Sequence, residues 1–326
     1  MKIVIRLCVM MFFLSTIANT QPQTNKLPKL TGPYLGQTPP GITPVLFAPG
    51  IVSTDCFEHS SPVFTPDLSE IYWSTIVEEN GKTVSRPTYY MKMADGRWSI
   101  PQIPSFGNNF LCCENPFISP DGKKLYFSAS QTIPPTKFDL YYVNRVGGDW
   151  SEPIRLAEPI NTADYNECQP TISKNGTLCF VGFCEKARTG FGLYFSQLAN
   201  GKFQNAIFME EKFNSLQVDW TPFIAPDESY FIFCSFREGG FGMGDLYICF
   251  KQKDGSWGKV TNMGNKINTD RNDRFPNVTP DGKYLFFNST KMIQGADTNS
   301  PGNGNGDVYW VEAGLIEYLR KKESCL

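Results

Sequence analysis

The stretch Ser119-Pro-Asp-Gly-Lys-Lys-Leu-Tyr-Phe127 decides the fold, because its pattern returns at a nearly fixed spacing along the 326-residue chain. The proline of each Pro-Asp pair marks one copy, and Lys174 of Ser-Lys-Asn-Gly takes that place in the third copy. The five marks are Pro66, Pro120, Lys174, Pro226 and Pro280, so the steps between them are 54, 54, 52 and 54 residues. A period of this size indicates a repeat architecture.

Each copy has the same order of elements around this stretch. A short apolar run leads into the Pro-Asp-Gly turn, whose proline fixes φ and whose glycine accepts positive φ, so the chain reverses tightly. An aromatic run such as Lys124–Ser128 follows, then a third run beginning Asp-Leu-Tyr at Asp139, and a glycine-aromatic hairpin at Gly148–Trp150 leads to a fourth. Four strands in each of five copies predict an all-β fold, a five-bladed β-propeller of four-stranded antiparallel sheets.

The fifth copy lacks its last strand. After Asp307–Trp310 there is no glycine-aromatic turn, and the apolar residues of Glu312–Leu326 fit a short helix better than a strand. Near the start of the chain, Pro44–Ala48 matches the end of a repeat, since residues 44–55 align with residues 153–164 without a gap. We therefore expect the N-terminal strand to complete the fifth blade and close the ring, which removes an open sheet edge.

The first residues have the pattern of a secretory signal peptide. Lys2 and Arg6 flank the start of an almost wholly apolar run, Leu7–Ile17, and small or polar residues follow up to Thr20. A membrane anchor is the alternative, but this run is much shorter than the roughly twenty residues that a spanning helix needs. We thus expect an exported protein, periplasmic or extracellular, with no transmembrane segment in the mature chain. The predicted divisions are a signal peptide over 1–20, a flexible lead-in over 21–40, the propeller over 41–311 and a tail over 312–326 that can form a short helix.

Charge and cysteine content narrow the classes of partner and site. The formal net charge is −2, with thirty basic and thirty-two acidic residues, so nucleic acid is not an expected partner. Nine cysteines remain after the predicted signal peptide, an odd number whose spacing does not match a zinc site. Cys179 and Cys234 lie in predicted strands, where we favour buried free thiols over disulfides. The pairing of the other cysteines is left open.

The assembled repeat resembles the WD-repeat-like β-propeller repeat of the TolB-like group. The resemblance rests on the Pro-Asp-Gly hairpin and the Asp-Leu-Tyr strand. It rests also on the Gly-x-x-Trp-x-x-Pro turn at Gly147–Pro153 and on the Ile-Asn-Thr motif at Ile160–Thr162 and Ile267–Thr269. It covers roughly residues 41–311. It implies an exported bacterial propeller, since such repeats serve envelope binding proteins and accessory modules beside peptidase or peptidoglycan-binding domains. The third copy departs most, because Lys174 replaces the proline and Gly192 replaces the aspartate of Asp-Leu-Tyr.

Acidic residues open each copy, and a propeller brings such positions to one mouth of its axial channel. The candidate binding residues are these acids and their neighbours, Glu58, His59, Glu114, Glu167, Asp219, Trp220, Asp273 and Arg274. Carboxylates within roughly 4–6 Å of one another raise their pKa values or recruit a cation or an arginine, for which His59 and Arg274 are candidates. The alternative is structural: the carboxylates accept backbone N–H bonds at a neighbouring blade, and Trp220 packs between blades.

Three functional hypotheses follow from these residues. The first is a non-catalytic binding or scaffold protein that takes an envelope protein, peptide or glycan at the channel mouth and adjacent loops. The second is a glycan-cleaving enzyme, a glycoside hydrolase or lyase, whose inverting form needs two carboxylates roughly 6.5–9.5 Å apart. The third is a propeller stabilised by calcium. His59 is the only histidine, and the sequence assigns no catalytic residue, no metal ligand and no cofactor other than this possible calcium.

Overall fold

The computed structural model describes residues 30–184 and 189–324. The predicted signal peptide, residues 1–20, and Cys325 lie outside the described residues. The described strands form five small antiparallel sheets, which are arranged as blades around one axis. The all-β, five-bladed propeller predicted from the repeats is confirmed.

The strands follow the order of the repeats, and the innermost strand of each blade comes first. A single strand, β1 (Val45–Leu46), precedes blade 1. Blade 1 contains β2 (Phe57–Glu58), β3 (Val63–Phe64), β4 (Glu70–Glu79), β5 (Lys82–Ser85), β6 (Thr88–Ala94) and β7 (Arg97–Trp98). Blade 2 contains β8 (Cys112–Ile118), β9 (Lys124–Ser130), β10 (Asp139–Val146), β11 (Asp149–Trp150) and β12 (Ile154–Arg155). Blade 3 contains β13 (Asn166–Ile172), β14 (Thr177–Cys184), β15 (Thr189–Ala199), β16 (Lys202–Phe203) and β17 (Ile207–Phe208). Blade 4 contains β18 (Asp219–Ile224), β19 (Tyr230–Ser235), β20 (Asp245–Phe250) and β21 (Thr261–Asn262), and blade 5 contains β22 (Asp273–Val278), β23 (Tyr284–Ser289) and β24 (Asp307–Glu312).

The Pro-Asp-Gly stretch forms the hairpin between the first two long strands of a blade. In blade 2 the Asp121 carboxylate accepts hydrogen bonds from Ser119 Oγ at 2.6 Å and from Lys123 N at 3.0 Å, and Gly122 has a φ of 70°. Asp281 accepts the equivalent bonds in blade 5. An aspartate that bonds the backbone two residues further on fixes the turn, so this stretch specifies architecture rather than a site.

The two ends of the propeller meet in blade 5. Its sheet has the order β1-β24-β23-β22, and Val45 of β1 lies opposite Trp310 of β24. A few residues after β1, Ser53 Oγ donates a hydrogen bond to Val308 O at 3.1 Å and accepts one from Val308 N at 3.0 Å. The N-terminal strand thus covers the edge that blade 5 would otherwise expose, and the predicted closure of the ring is confirmed.

The chain packs onto the ring well before β1. The Tyr34 ring is buried and meets the rings of Phe64 and Tyr284 edge-on, with centroids 5.3 Å and 4.9 Å away. Trp98 Nε1 donates a hydrogen bond to Gly32 O at 2.8 Å. The described part of the region that composition predicts to be a flexible lead-in is therefore held by aromatic contacts at the seam, the junction between blades 5 and 1.

A helix follows β24, the last strand of the propeller in the chain. α1 (Gly314–Ser324) places Ile316, which is buried, against the apolar core shared by blades 4 and 5. No helix within residues 30–184 and 189–324 is long and apolar enough to span a membrane.

The cysteines of the described residues carry free thiols. Eight are described, and all except Cys56 are buried. Cys179 and Cys234 have exposed fractions of 2% and 0%, which confirms the expectation of buried free thiols at these two positions. They act as small apolar side chains in the blades.

Candidate functional site

A β-bulge interrupts the innermost strand of blades 2 to 5 just before its proline. The residue that precedes the proline has positive φ in each case, at Asn115, Gln169, Thr221 and Phe275. A proline lacks the N–H that a regular ladder needs, and a bulge is one of the places where a strand tolerates it. The bulges turn these residues towards the propeller axis.

The bulged strands surround a small cavity on the axis. Its lining comes from all five blades and includes Pro116, Pro170, Pro222, Pro276, Phe117 and Phe275. The cavity volume is about 40 Å³, which is room for a few water molecules and not for a sugar ring. The hydroxyl oxygens of Ser61 and Thr221, which also line it, are buried and have no hydrogen-bond partner among the described residues. We expect ordered water to bond them.

Four of the five predicted acids bond a serine or threonine in the connection that precedes their strand. Asp273 Oδ2 accepts hydrogen bonds from Thr269 N at 2.6 Å and from Thr269 Oγ1 at 3.0 Å. The equivalent pairs are Asp219 with Ser215, Glu167 with Thr162, and Glu58 with Thr54. These four carboxylates are almost completely buried, so their first role is to hold the connection between consecutive blades.

The residue before the bonded hydroxyl anchors the same connection to the preceding blade. Asn268 Oδ1 accepts a hydrogen bond from Leu246 N at 2.7 Å, and Asn268 Nδ2 donates one to Leu246 O at 3.0 Å. Asn161 and Asn214 make the same two bonds to the third strands of blades 2 and 3. The asparagine, the hydroxyl residue and the acid together form an inter-blade clamp, which is the structural alternative considered from the sequence.

Three of the acids also pair with bases that lie nearer the surface. The pairs are Glu114 with His59 at 3.2 Å and with Arg86 at 3.7 Å, Glu167 with Lys137 at 3.0 Å, and Asp219 with Arg237 at 3.1 Å. The side chains of the bases are 17–33% exposed, whereas those of the acids are 1–3% exposed. Solvent at the mouth therefore meets the bases, and the ring of acids predicted from the sequence is hidden beneath them.

The acids at the seam have no basic partner within ion-pair distance among the described residues. Glu58 Oε2 and Asp307 Oδ1 are both buried without a hydrogen-bond partner there. Burial raises the pKa of Glu58 to about 8, and the nearby charge of Asp307 adds to the rise. Burial also raises the pKa of Asp307 to about 6. This raised pKa favours the neutral, protonated form of Glu58 at pH 7.

Arg274 lies on β22 with only 6% of its surface exposed. Its Nε donates a long hydrogen bond, 3.4 Å, to Asn288 Oδ1. Its guanidinium carbon is 4.8 Å from the centre of the Phe57 ring, 5.4 Å from that of Phe275 and 5.9 Å from that of Trp220. Burial lowers the pKa of Arg274 to about 10, so the group stays charged at neutral pH. No carboxylate of the described residues lies within ion-pair distance, and Arg274 is not the counter-ion considered from the sequence.

The structure brings some of the predicted site residues together and leaves others apart. His59 pairs with Glu114, and Trp220 contacts Arg274, while each remaining acid stays within its own inter-blade clamp. Sequence reasoning missed the bases Arg86, Lys137 and Arg237, which come from loops. It also missed a usable signal, a serine or threonine four or five residues before the acid. Within residues 30–184 and 189–324, no group of three or more His, Cys, Asp or Glu side chains could hold a metal ion.

Exposed apolar side chains lie at the same end of the ring as the acids. Because the strands are antiparallel, the loops between the second and third long strands adjoin the start of the innermost strand. We name residues 215–218, 236–244 and 290–306 the mouth loops. The exposed fraction there is 103% for Leu216, 50% for Phe241, 66% for Met243 and 61% for Met292. Met243 N donates to Arg271 O at 2.8 Å, so this loop is fixed to the connection beside it.

A larger groove lies away from the mouth, between α1 and the outer strand β21 of blade 4. Its volume is about 920 Å³, and its lining includes Met263, Leu315, Tyr318 and Leu319. None of the eight predicted site residues lines it. The groove is therefore a separate surface, at the outer rim of the propeller.

Comparison with known proteins supports the fold. No family model and no curated protein sequence matches the chain. A GH43 endo-arabinanase from Bacillus licheniformis is similar at 16% identity and a TM-score of 0.51, over 80% of this chain and 96% of that one. The α-L-arabinofuranosidase PaAbf62A from Podospora anserina is similar at 9% identity and a TM-score of 0.50, over 84% and 97%. TolB from Acinetobacter baumannii reaches a TM-score of 0.44 at 15% identity, over 78% of this chain and 56% of TolB, so the chain spans little more than half of that protein. The two similarities with TM-scores of 0.51 and 0.50 support the β-propeller fold, and at these identities they establish no activity.

Proposed function

We propose that this chain is a non-catalytic binding protein that takes a protein or peptide partner on the mouth loops and the adjoining channel mouth. The observation that carries the proposal is the group of exposed apolar side chains on those loops, above all Leu216, Phe241 and Met243. A contiguous patch of exposed apolar side chains marks an interaction surface. Two of these loops adjoin each other, since Phe236 N donates a hydrogen bond to Val218 O at 2.9 Å. A rigid ring that presents loops of variable length is also a common way to build a recognition surface.

The arrangement of the carboxylates supports binding rather than glycan cleavage. A glycoside hydrolase places two carboxylates on either side of a sugar-sized pocket. Here Glu167, Asp219 and Asp273 are buried and bonded to the backbone and hydroxyl of the connecting segments. The axial cavity of about 40 Å³ does not admit a sugar ring. The similarity to arabinan-cleaving enzymes is one of fold, and no residue of this chain is assigned a catalytic role.

We further infer that the protein is exported and that its partner belongs to the cell envelope. The basic and apolar pattern of residues 1–20 supports export. The resemblance of the repeats to the TolB-like group supports an envelope partner. Edman or mass-spectrometric analysis of the protein from fractionated cells should find an N terminus near Thr20 in the exported fraction. An intact Met1 in the cytoplasmic fraction would contradict export.

Capture from an envelope extract tests the binding proposal with two matched variants. Phe241→Ser combined with Met243→Ser changes the mouth loops, while Ile207→Ser combined with Phe208→Ser changes comparably exposed side chains on the outer strand of blade 3. A partner should be retained by the wild type and by the outer-strand variant, and lost by the mouth-loop variant. Retention by the mouth-loop variant contradicts the proposal.

A screen of polysaccharides tests the enzymatic alternative separately. The wild type is expected to release no reducing ends from any substrate. Cleavage that disappears in Asp219→Asn would replace the binding proposal with a hydrolase, because that substitution removes the charge of one mouth acid and keeps its shape.

A further inference from the structure

Arg274 differs from the other arginines of the described chain. An arginine is seldom buried in a protein unless an acid pairs with it. The other partly buried arginines of the described residues each have a carboxylate within ion-pair distance, and they are Arg86, Arg145, Arg237 and Arg320. Arg274 is more buried than any of them, and among residues 30–184 and 189–324 it has no such partner.

The surroundings of the Arg274 guanidinium leave part of its hydrogen-bonding capacity unused. Nη2 is buried and has no hydrogen-bond partner among the described residues, and the bond from Nε to Asn288 is long. The rings of Phe57, Trp220 and Phe275 stand around the group. Aromatic faces attract a cation, but they do not replace the oxygen acceptors that five guanidinium N–H groups can bond. The charge of Arg274 is thus without an acidic partner among the described residues, and Nη2 lacks an acceptor there.

The position of Arg274 relates it to the channel mouth. The next residue, Phe275, lines the axial cavity. Phe57 and Trp220 are half-buried, so each residue keeps some contact with solvent, although Trp220 Nε1 is buried. Arg274 and Trp220 hold the same place in neighbouring blades, because each is the last residue paired before the bulge of its innermost strand. A ligand group at the mouth would have to approach the guanidinium beside these two rings.

We propose that Arg274 is the anion-recognition residue of the mouth, and that the ligand presents a carboxylate to it, from a peptide C terminus or an acidic side chain. The inference rests on the proposed function as a binding protein. A carboxylate is planar and singly charged, which matches one guanidinium, and the rings beside Arg274 suit an apolar group next to that carboxylate. A phosphate is a poorer match, because the other bases of the mouth, Lys137 and Arg237 among them, are already paired with acids.

The test uses two small probes that differ in one charge. N-acetylphenylalanine has a free carboxylate beside an aromatic side chain, and N-acetylphenylalanine amide lacks only the carboxylate. Binding to the mature wild-type protein is measured by saturation-transfer NMR titration. We expect a roughly millimolar Kd for the acid. The amide should bind about 10- to 100-fold more weakly, because a charge-assisted hydrogen bond is lost.

Two variants connect the preference for the acid with Arg274. Arg274→Met removes the charge and should fold, because the change leaves no acid unpaired and the methionine side chain can pack against the same rings. Arg97→Met removes an exposed positive charge elsewhere and serves as the control. Arg274→Met should bind the acid as weakly as the amide, whereas Arg97→Met should keep the wild-type preference. If Arg274→Met does not fold, the comparison of the two probes on the wild type still tests the proposal.

Several outcomes overturn the proposal. For the wild type, these are equal binding of the acid and the amide, or no binding of the acid up to its solubility limit. A third is a preference for the acid that survives in Arg274→Met. A fourth is competition by inorganic phosphate as strong as that by the acid. The capture assay separates this site from the proposed function. A partner lost by the mouth-loop variant and kept by Arg274→Met refutes the carboxylate site alone, and a partner kept by both variants refutes both proposals.

Discussion

Replacing Glu58 by glutamine at the seam is expected to stabilise the protein at alkaline pH. Glu58 Oε1 accepts hydrogen bonds from Thr54 N at 3.1 Å and Thr54 Oγ1 at 2.6 Å, and the glutamine oxygen can accept both. The glutamine Nε2 would take the place of Glu58 Oε2, which is buried without a partner in the described structure. It would also bring a donor towards the acid Asp307, whose Oδ1 has no partner there either.

The sign and size of the effect follow from the pKa of Glu58. Burial raises this pKa from 4.5 to about 8, so the folded state binds the proton more tightly than the unfolded chain does. The stabilisation from this group is fully present below about pH 4.5 and is lost as the pH rises through about 8. The two pKa values lie about 3.5 apart, and one pH unit between them corresponds to about 1.4 kcal/mol, so the loss is on the order of 5 kcal/mol. The glutamine side chain has no charge to bury. The Tm of the Glu58→Gln variant at about pH 9 should therefore exceed that of the wild type by roughly 5–10 °C.

Differential scanning fluorimetry between about pH 4 and pH 9 measures this difference, because that window contains the whole fall expected from the raised pKa. The matched control is Glu167→Gln, which removes the buried charged partner of Lys137 and should lower stability by about 1–3 kcal/mol. If Glu58→Gln is less stable than the wild type at alkaline pH, or keeps the wild-type dependence on pH, then Glu58 is ionised and compensated, and the reasoning fails.

Three further outcomes test the fold and the metal hypothesis. Asn268→Ala should lower the free energy of urea unfolding by about 2–4 kcal/mol, because the N–H and C=O of Leu246 lose their partner in a buried place; the exposed Asn265→Ala should change it by less than about 0.5 kcal/mol. Phe47→Ala, next to the closing strand, should cost about 3–5 kcal/mol because the ring is fully buried, whereas Phe208→Ala on an outer strand should cost much less. Excess EDTA should leave the Tm unchanged, and a fall that calcium reverses would support the calcium hypothesis instead.

The sequence predicts the fold well because each repeat contains the residues that form its own turn. The Asp121 side chain bonds both ends of its hairpin, so the turn forms from local contacts. The closing strand was also predictable, since residues 44–55 match the end of another repeat. Composition suggests flexibility just before that strand, and it gives no sign of the contacts that the described part of this region, from residue 30 onward, makes with the ring. Tyr34 is held there by rings from two blades, and contacts between residues so far apart in the chain leave no local signal.

The chemistry of the mouth was harder to predict, because it depends on which loop reaches which blade. Glu114 is met by His59 and Arg86 of blade 1, and Glu167 by Lys137 of blade 2. These bases stand at no constant distance in sequence from their acids. A pattern of acids therefore suggests an acidic mouth, whereas folding buries the acids and leaves the bases nearer the solvent.

The repeats also indicate which positions the fold leaves free to vary. The acid of the inter-blade clamp recurs in blades 1, 3, 4 and 5, because it bonds the connection that holds consecutive blades together. The last residue paired before the bulge holds the same position in each of these blades, but its type differs. In blades 2 to 5 it is Glu114, Cys168, Trp220 and Arg274. Since the same backbone accepts an acid, a thiol, an indole and a guanidinium, the propeller itself does not dictate the side chain there. Recognition at the mouth is therefore expected to depend on this position, and Arg274 is the one of the four whose charge is left without an acidic partner among the described residues.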